Sequence, residues 1–324
     1  MRAIERAWYD PKQIWIWLLT PLMLLFAAIS SGRRALYRSG ILKSHKLNAP
    51  VIVVGNISVG GNGKTPMVVY LCDLLRQQGY YPGVLSRGYG GKSENYPIQV
   101  TFASNGNEVG DEPKLIAKRV NCPVVVDPNR KRGAEKLIND LRCNVVVCDD
   151  GLQHYKLARD IEIVVIDGQR RHGNNQLMPV GPLREGEWRL DTVDFIVNNG
   201  GPIKNGEYLM SFDVGRAQNV KYQNVSQPLS DFALPVVAAA GIGNPQRFFN
   251  TLTKRGIKIK DAKSFKDHHA YKVTDLPDET VFMTEKDAVK CTEFASDKWW
   301  YLPVSANLTP EFRQAFLAKL KALK

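Results

Sequence analysis

One stretch constrains this chain more than any other. Val51-Ile52-Val53-Val54 runs into GNISVGGNGKTP and then into a helical pattern. A β-branched run, a glycine-rich loop and a helix opening on Lys64-Thr65-Pro66 together describe a phosphate cradle. Glycines let backbone N–H groups wrap phosphate oxygens, Lys64 neutralises the outer phosphates, and Thr65 can hold Mg2+. The helix N-terminus adds its dipole, and Pro66 suits the first turn. Gly60, Gly61, Asn62, Gly63, Lys64 and Thr65 are therefore the expected nucleotide-binding residues. Ser58 stands where the GxxxxGK[ST] pattern has its first glycine, a departure from the consensus.

A second acidic element should accompany such a cradle. Val145-Val146-Val147-Cys148 leads directly into Asp149-Asp150-Gly151. Carboxylates at a strand end suit Mg2+, directly or through water, although Asp-Gly is also a turn dipeptide. Asp149 and Asp150 are expected at the metal together with Thr65, and the sequence leaves open which of the two touches it.

The surrounding pattern alternates short apolar runs with helical stretches. Strand candidates are Val51–Val54, Pro82–Leu85, Val124–Val126, Val145–Cys148, Ile161–Ile166 and Phe195–Val197. Continuous apolar strands separated by helices predict an α/β fold of the P-loop NTPase type, a parallel sheet covered on both faces. Around residues 206–228 the texture changes to alternation, which predicts a two-stranded ribbon. A smaller α/β unit over 229–324 follows, ending in a helix opened by Thr309-Pro310. Phe312, Phe316, Leu320 and Leu323 give that helix one apolar stripe. The expected organisation is a membrane-associated segment (1–35), a P-loop domain (36–205), the ribbon (206–228) and a smaller C-terminal domain (229–324).

Residues 14–29, IWIWLLTPLMLLFAAI, carry no charge. As a helix they reach roughly 24 Å, short of the ~30 Å bilayer core, and Pro21 is expected to kink them. A helix dipping into one leaflet, a short span, and a core helix or cleaved signal peptide all remain open; a membrane-surface protein on the cytoplasmic side is the expectation. The chain has 44 Lys+Arg against 32 Asp+Glu, a formal charge of +12. Eight basic residues (Arg2, Arg6, Lys12, Arg33, Arg34, Arg38, Lys43, Lys46) and two acidic ones fall in the first fifty, flanking the apolar run. That placement favours an anionic lipid surface over nucleic acid, for which no recognition signature exists. Five scattered cysteines without a CxxC pair point to buried thiols in a reducing compartment.

Taken in order, VGNISVGGNGKTP, LSRGYGG (85–91), VGDEP (109–113), CDDGLQH (148–154), GPLRE (181–185), FKDHHAY (265–271) and TEKDAVK (284–290) resemble the tetraacyldisaccharide 4′-kinases of lipid A biosynthesis. The resemblance spans about residues 45 to 290. It implies transfer of the ATP γ-phosphoryl to the 4′-hydroxyl of a tetraacylated glucosamine disaccharide 1-phosphate, with Mg2+ as cofactor, at the cytoplasmic face of the bacterial inner membrane. It further implies Asp111 as base on the sugar hydroxyl, assisted by His268 or by its neighbour His269, and substrate contacts from Arg130, Arg184 and Glu185. A solvated basic run is the alternative reading of Arg130-Lys131-Arg132. Thr284-Glu285-Lys286-Asp287 is expected at the nucleotide or interdomain site, and a monomer is expected.

Two rivals fare worse. A GTPase would need NKxD, whereas Lys286 and Asp287 are adjacent. A membrane-docked ATPase switch often carries a second lysine in KGGxGKT, where this chain has Val59.

Overall fold

The computed structural model describes residues 3–10, 12–101, 103–232 and 234–323; Arg2, one of the flanking cations, lies outside them. The first eight strands are β1 (Val51–Gly55), β2 (Pro82–Ser86), β3 (Ile98–Gln99), β4 (Val124–Val126), β5 (Val145–Asp149), β6 (Ile161–Asp167), β7 (Phe195–Asn199) and β8 (Glu207–Val214). A second set follows: β9 (Ala217–Asn219), β10 (Ser226–Gln227), β11 (Val236–Ala240), β12 (Ile259–Ser264), β13 (Val281–Thr284) and β14 (Trp299–Leu302), and β15 (Val304–Leu308) closes the series. Among the described residues they form two sheets, ordered β15-β8-β7-β6-β1-β5-β2-β4-β3 and β10-β9-β14-β13-β11-β12.

In the larger sheet β4, β2, β5, β1, β6, β7 and β8 run parallel, with β3 and β15 antiparallel at the edges. Strand alternation sends Ile52 and Val54 into one core and Val51 and Val53 into the other, which is why these strands read as unbroken apolar runs. The helix Lys64–Gln77 covers the first core with Met67, Leu71 and Leu75. At the heart of the sheet β1 lies between β5 and β6, with Val54 in register with Asp149. The cradle and the acidic pair therefore emerge side by side at the carboxyl ends of adjacent strands, where open parallel sheets bind ligands.

Two sequence expectations need correction here. The ribbon between the sheets exists, but its partners are β8 and β15, paired antiparallel from Val304↔Val214 to Leu308↔Met210. Residues 220–225 make a turn instead. The chain leaves the first sheet along β8 and returns along β15, so the second sheet hangs on a double strand. For the same reason the last strand and helix do not belong with the smaller unit: Phe312, Phe316 and Leu320 pack into the core of the first sheet. An apolar stripe announces that a helix is buried; it does not say against what.

The N-terminal apolar segment starts as a 3-10 turn (Ile14–Leu19) and continues as a helix over Thr20–Arg38. Pro21 sits in the first turn of that helix, where its missing N–H has no partner to lose, so it opens the helix and does not kink it. The segment Ile14–Arg38 has a mean hydropathy of 2.0 over its most apolar window, with 6% of that window buried. Leu18, Leu22, Leu25 and Ile29 face outward. Its far end is tied down: Arg33 donates to the Gln153 carbonyl at 3.3 Å, and the Arg34 guanidinium lies 3.9 Å over the Trp188 ring.

Candidate active site

The cradle is shaped by two glycines with left-handed backbones, Gly60 (φ 115°) and Gly63 (φ 96°). A side chain on Gly63 would also collide with the Asn199 amide. Ser58 does not need to be glycine: its backbone is not left-handed, and its hydroxyl accepts from Asn62 Nδ2 at 3.0 Å, closing the loop from within. The Asn62 carbonyl in turn accepts from Asn199 Nδ2 at 2.8 Å, anchoring the cradle to β7. Lys64, the first residue of the helix, reaches Asp150 Oδ1 at 3.4 Å.

Asp149 and Asp150 are neighbours with opposite environments. Asp150, at φ 47°, lies between Lys64 and the Arg184 guanidinium, whose Nη1 is 3.2 Å from Oδ2. Burial would raise its pKa, but these two cations outweigh burial and hold it down to about 2. Asp149 is 2% exposed. Its Oδ2 accepts from Ser86 Oγ at 3.4 Å, and its Oδ1 has no partner at all. Burial first, then the carboxylates of Glu112 and Asp150, push it up to about 7. A buried, unpaired carboxylate oxygen beside a phosphate cradle is a position that asks for a cation.

Asp111 opens the helix Asp111–Arg119, following Gly110, whose φ of 88° turns the chain sharply into it. On the other side stands the loop that follows β12 in the smaller unit. His268, itself at φ 59°, presents Nδ1 to Asp111 Oδ2 at 4.0 Å. His269 points elsewhere: its Nε2 lies 2.9 Å from Asp275 Oδ2, and its ring stacks on Phe265. Of the two adjacent histidines, His268 is the one that faces Asp111. Tyr89 from LSRGYGG, 70% exposed, flanks the pair with its ring centroid 5.2 Å from that of His268.

The chain thus carries a phosphate cradle, an acidic strand end and a carboxylate–imidazole pair, all on the same face. Comparison with known proteins gives the family. Residues 15–321 match the sequence profile of the family described as tetraacyldisaccharide-1-P 4′-kinase, LpxK. A tetraacyldisaccharide 4′-kinase of Pseudoalteromonas atlantica is 55% identical over 304 residues, 94% of this chain and 100% of that one. One from Psychromonas ingrahamii is 51% identical over 321 residues, covering 98% and 99%. The chain belongs to the tetraacyldisaccharide 4′-kinase family. In three dimensions it is similar to a crystal structure of LpxK from Aquifex aeolicus in complex with ATP, with a TM-score of 0.79, 30% identity, and 94% and 99% of the two chains covered. It is an ATP-dependent phosphotransferase with the α/β fold of the P-loop NTPases.

Around this kinase site three further expected residues separate. Arg184 faces the cradle through Asp150. Arg130 does not face open space: it is 2% exposed, and its guanidinium donates to the carbonyls of Leu85 (2.6 Å), Asp149 (2.7 Å) and Asp150 (3.4 Å). Its neighbours Lys131 and Arg132 pair with Glu135 and Asp127 nearer the surface. Glu185 is likewise buried, accepting from Gln153 Nε2 at 2.9 Å and from the Tyr155 hydroxyl. In this structure the polar atoms of both residues are engaged within the protein, Arg130 on strand-end carbonyls and Glu185 on Gln153 and Tyr155. Sequence reasoning missed Ser86, Gln153 and Asn199 as members of this shell; a single polar residue at a strand end (Ser86, Asn199) or in a turn (Gln153) carries no local signal.

The helix Glu285–Cys291 supplies the second wall. Lys286 Nζ lies 2.9 Å from Glu112 Oε1, Lys290 Nζ 3.9 Å from Asp111 Oδ2, and Arg119 Nη1 2.7 Å from Glu285 Oε2. Burial works against the charge on Glu112, but Lys286 and Lys64 outweigh it and keep the carboxyl below its usual range. The TEKD segment is therefore an interdomain element, one of the two placements expected for it.

Proposed function

We propose that this chain transfers the γ-phosphoryl of ATP to the 4′-hydroxyl of a tetraacylated glucosamine disaccharide 1-phosphate, with Asp111 as the proton acceptor and His268 orienting it. The observation that carries this reading is the approach of Asp111 and His268, more than 150 residues apart in sequence, to 4.0 Å beside the cradle. That separation exceeds hydrogen-bond length, as is common before a catalytic site closes on its substrate. The acceptor oxygen bonds to the γ-phosphorus as the bond to the β–γ bridging oxygen breaks. The hydroxyl proton passes to Asp111, and ADP leaves. Lys64 and Arg184 hold positive charge toward the phosphates, where it stabilises the transferring group.

Mg2+ fits the residues present: the partnerless Oδ1 of Asp149 and the Thr65 hydroxyl would hold it, and it would neutralise charge on the β/γ oxygens. Among the described residues no group of three or more His, Cys, Asp or Glu side chains surrounds a metal position, so phosphate and water would complete the shell.

The acceptor's acyl chains would remain in lipid while its sugar enters between the two sheets. The apolar helix supports this geometry, because Arg33 at its far end touches Gln153, which donates to the Asn56 carbonyl at the root of the cradle. With Arg33, Arg34 and Arg38 in the last turns of that helix, the cytosolic leaflet is the proposed surface; basic flanks favour anionic lipid by ~1 kcal/mol per residue near it. Deletion of residues 1–38 is expected to move the protein from the pellet to the supernatant in sedimentation with anionic vesicles. A truncated chain that still pellets would rule the helix out as the anchor.

The test of the reaction is label transfer from γ-labelled ATP to the disaccharide 1-phosphate in detergent micelles. Label should appear in the lipid with wild type and stay at background with Asp111→Asn. ATP hydrolysis without labelled lipid would instead make a membrane-docked ATPase the better description.

A further inference from the structure

The ammonium group of Lys286 has three N–H donors and, within reach, three acceptors. These are Glu112 Oε1 at 2.9 Å, Asp267 Oδ1 at 3.2 Å and His268 Nε2 at 3.3 Å. An ammonium has no lone pair, so toward the imidazole it can only donate. It stays charged: burial opposes the charge, but Glu112 and Asp267 outweigh burial, and Lys286 holds its proton more tightly than an ordinary lysine. A ring nitrogen that accepts from Lys286 cannot itself carry hydrogen, so the neutral ring must carry its proton on the other nitrogen, Nδ1. Nδ1 is the atom that faces Asp111, 4.0 Å away.

We propose that Lys286 is a positioning residue that selects the tautomer of His268, placing the ring's one N–H toward Asp111 Oδ2. This deepens the proposed role of the Asp111–His268 pair and rests on it. The rival tautomer has a partner of its own, since Asp267 Oδ1 lies 4.0 Å from His268 Nε2 and could accept from it. Lys286 removes that option by standing nearer to Nε2 and by occupying Asp267 itself. The remaining groups around the ring do not compete. Lys290 bonds Asp287 at 3.2 Å and approaches Asp111, Glu112 is taken by Lys286, and Tyr89 meets the ring in a tilted aromatic contact. An N–H aimed at Asp111 fixes which carboxylate lone pair stays free for the acceptor hydroxyl, as the outer partner of a catalytic histidine commonly does.

The experiment is nitrogen NMR of the full-length chain, labelled with 15N-histidine, in detergent micelles. His268→Gln identifies which of the five histidine signals belongs to His268. In wild type, Nε2 of His268 should give the signal of an unprotonated ring nitrogen and Nδ1 that of an N–H. In Lys286→Met the N–H should move to Nε2. Its kcat should drop about tenfold to a hundredfold, within the ~10²–10⁴ that a positioned proton acceptor contributes, while KM for ATP holds. Lys286→Arg, which keeps a charged donor, should retain the wild-type tautomer and recover part of the rate. A wild-type His268 with its proton on Nε2 overturns the proposal without any variant. So does a folded Lys286→Met chain whose tautomer is unchanged, even if activity is lost, because the lysine would then serve only to dock the two units. Failure of the underlying pair has a different signature: Asp111→Asn and His268→Gln would retain full label transfer, whatever the tautomer.

Discussion

Asp111→Asn is expected to lower kcat by about 10²–10⁴-fold, the range a well-placed general base contributes, while leaving ATP affinity near wild type. The amide matches the carboxylate in shape but cannot take a proton from the acceptor hydroxyl. Asp111 has no polar contact with Gly60–Thr65; its neighbours are His268 at 4.0 Å and Lys290 at 3.9 Å. Nucleotide binding therefore has no reason to suffer. The structural cost is small, since the residue is partly exposed at a helix N-terminus, where losing a negative charge costs about 0.3–1 kcal/mol. Steady-state kinetics beside equilibrium nucleotide binding separates the two effects. His268→Gln should cost less, because in the proposed reaction the histidine acts through Asp111. The double variant should be little worse than Asp111→Asn alone, as residues acting as a unit are not additive. Losses that add in full would mean that the two side chains work independently, and wild-type turnover in Asp111→Asn would end the assignment.

What the sequence made legible follows the range of the interactions. The cradle and Asp149-Asp150 could be read because each is a strand–turn–helix event written in consecutive residues, and the register Val54↔Asp149 then brings them together. The Asp111–His268 approach could not be read locally. Asp111 alone is an acidic residue opening a helix, His268 is one of two histidines in a loop, and only the packing of helix Asp111–Arg119 against helix Glu285–Cys291 joins them. The family resemblance was what singled them out. Sheet membership failed for a related reason: β15 has the same alternation whether it pairs with the second sheet or returns to β8, and the choice is made by distant strands. Pro21 opens a helix instead of kinking one because the residues before Thr20 take a 3-10 turn, which an uncharged apolar run does not distinguish from α-helix. Arg130-Lys131-Arg132 reads as one basic run, yet the turn out of β4 sends the first cation inward and the next two toward the surface.

That last case carries the second large expected effect. Arg130→Met should destabilise the fold by about 3–5 kcal/mol, the sum expected from stranding the buried carbonyls that its guanidinium serves. Arg130 follows β4 and ties the carboxyl ends of two other strands together, holding Leu85 of β2 at 2.6 Å and Asp149 of β5 at 2.7 Å. Methionine fills much of the volume but donates nothing, so buried carbonyls lose their partners at ~1–3 kcal/mol each. Against the ~5–15 kcal/mol that holds an ordinary domain together, this is a large fraction. At roughly 2–4 °C per kcal/mol for a domain of this size, the thermal midpoint should fall by about 10 °C. Turnover should fall with it, because Asp149 and the left-handed Asp150 lose the strut that fixes their backbone. A substrate-binding arginine would behave differently, with the midpoint unchanged and KM for the lipid acceptor raised. Thermal unfolding in micelles beside acceptor titration tells the two apart, and an unshifted midpoint would return Arg130 to the surface of the cleft.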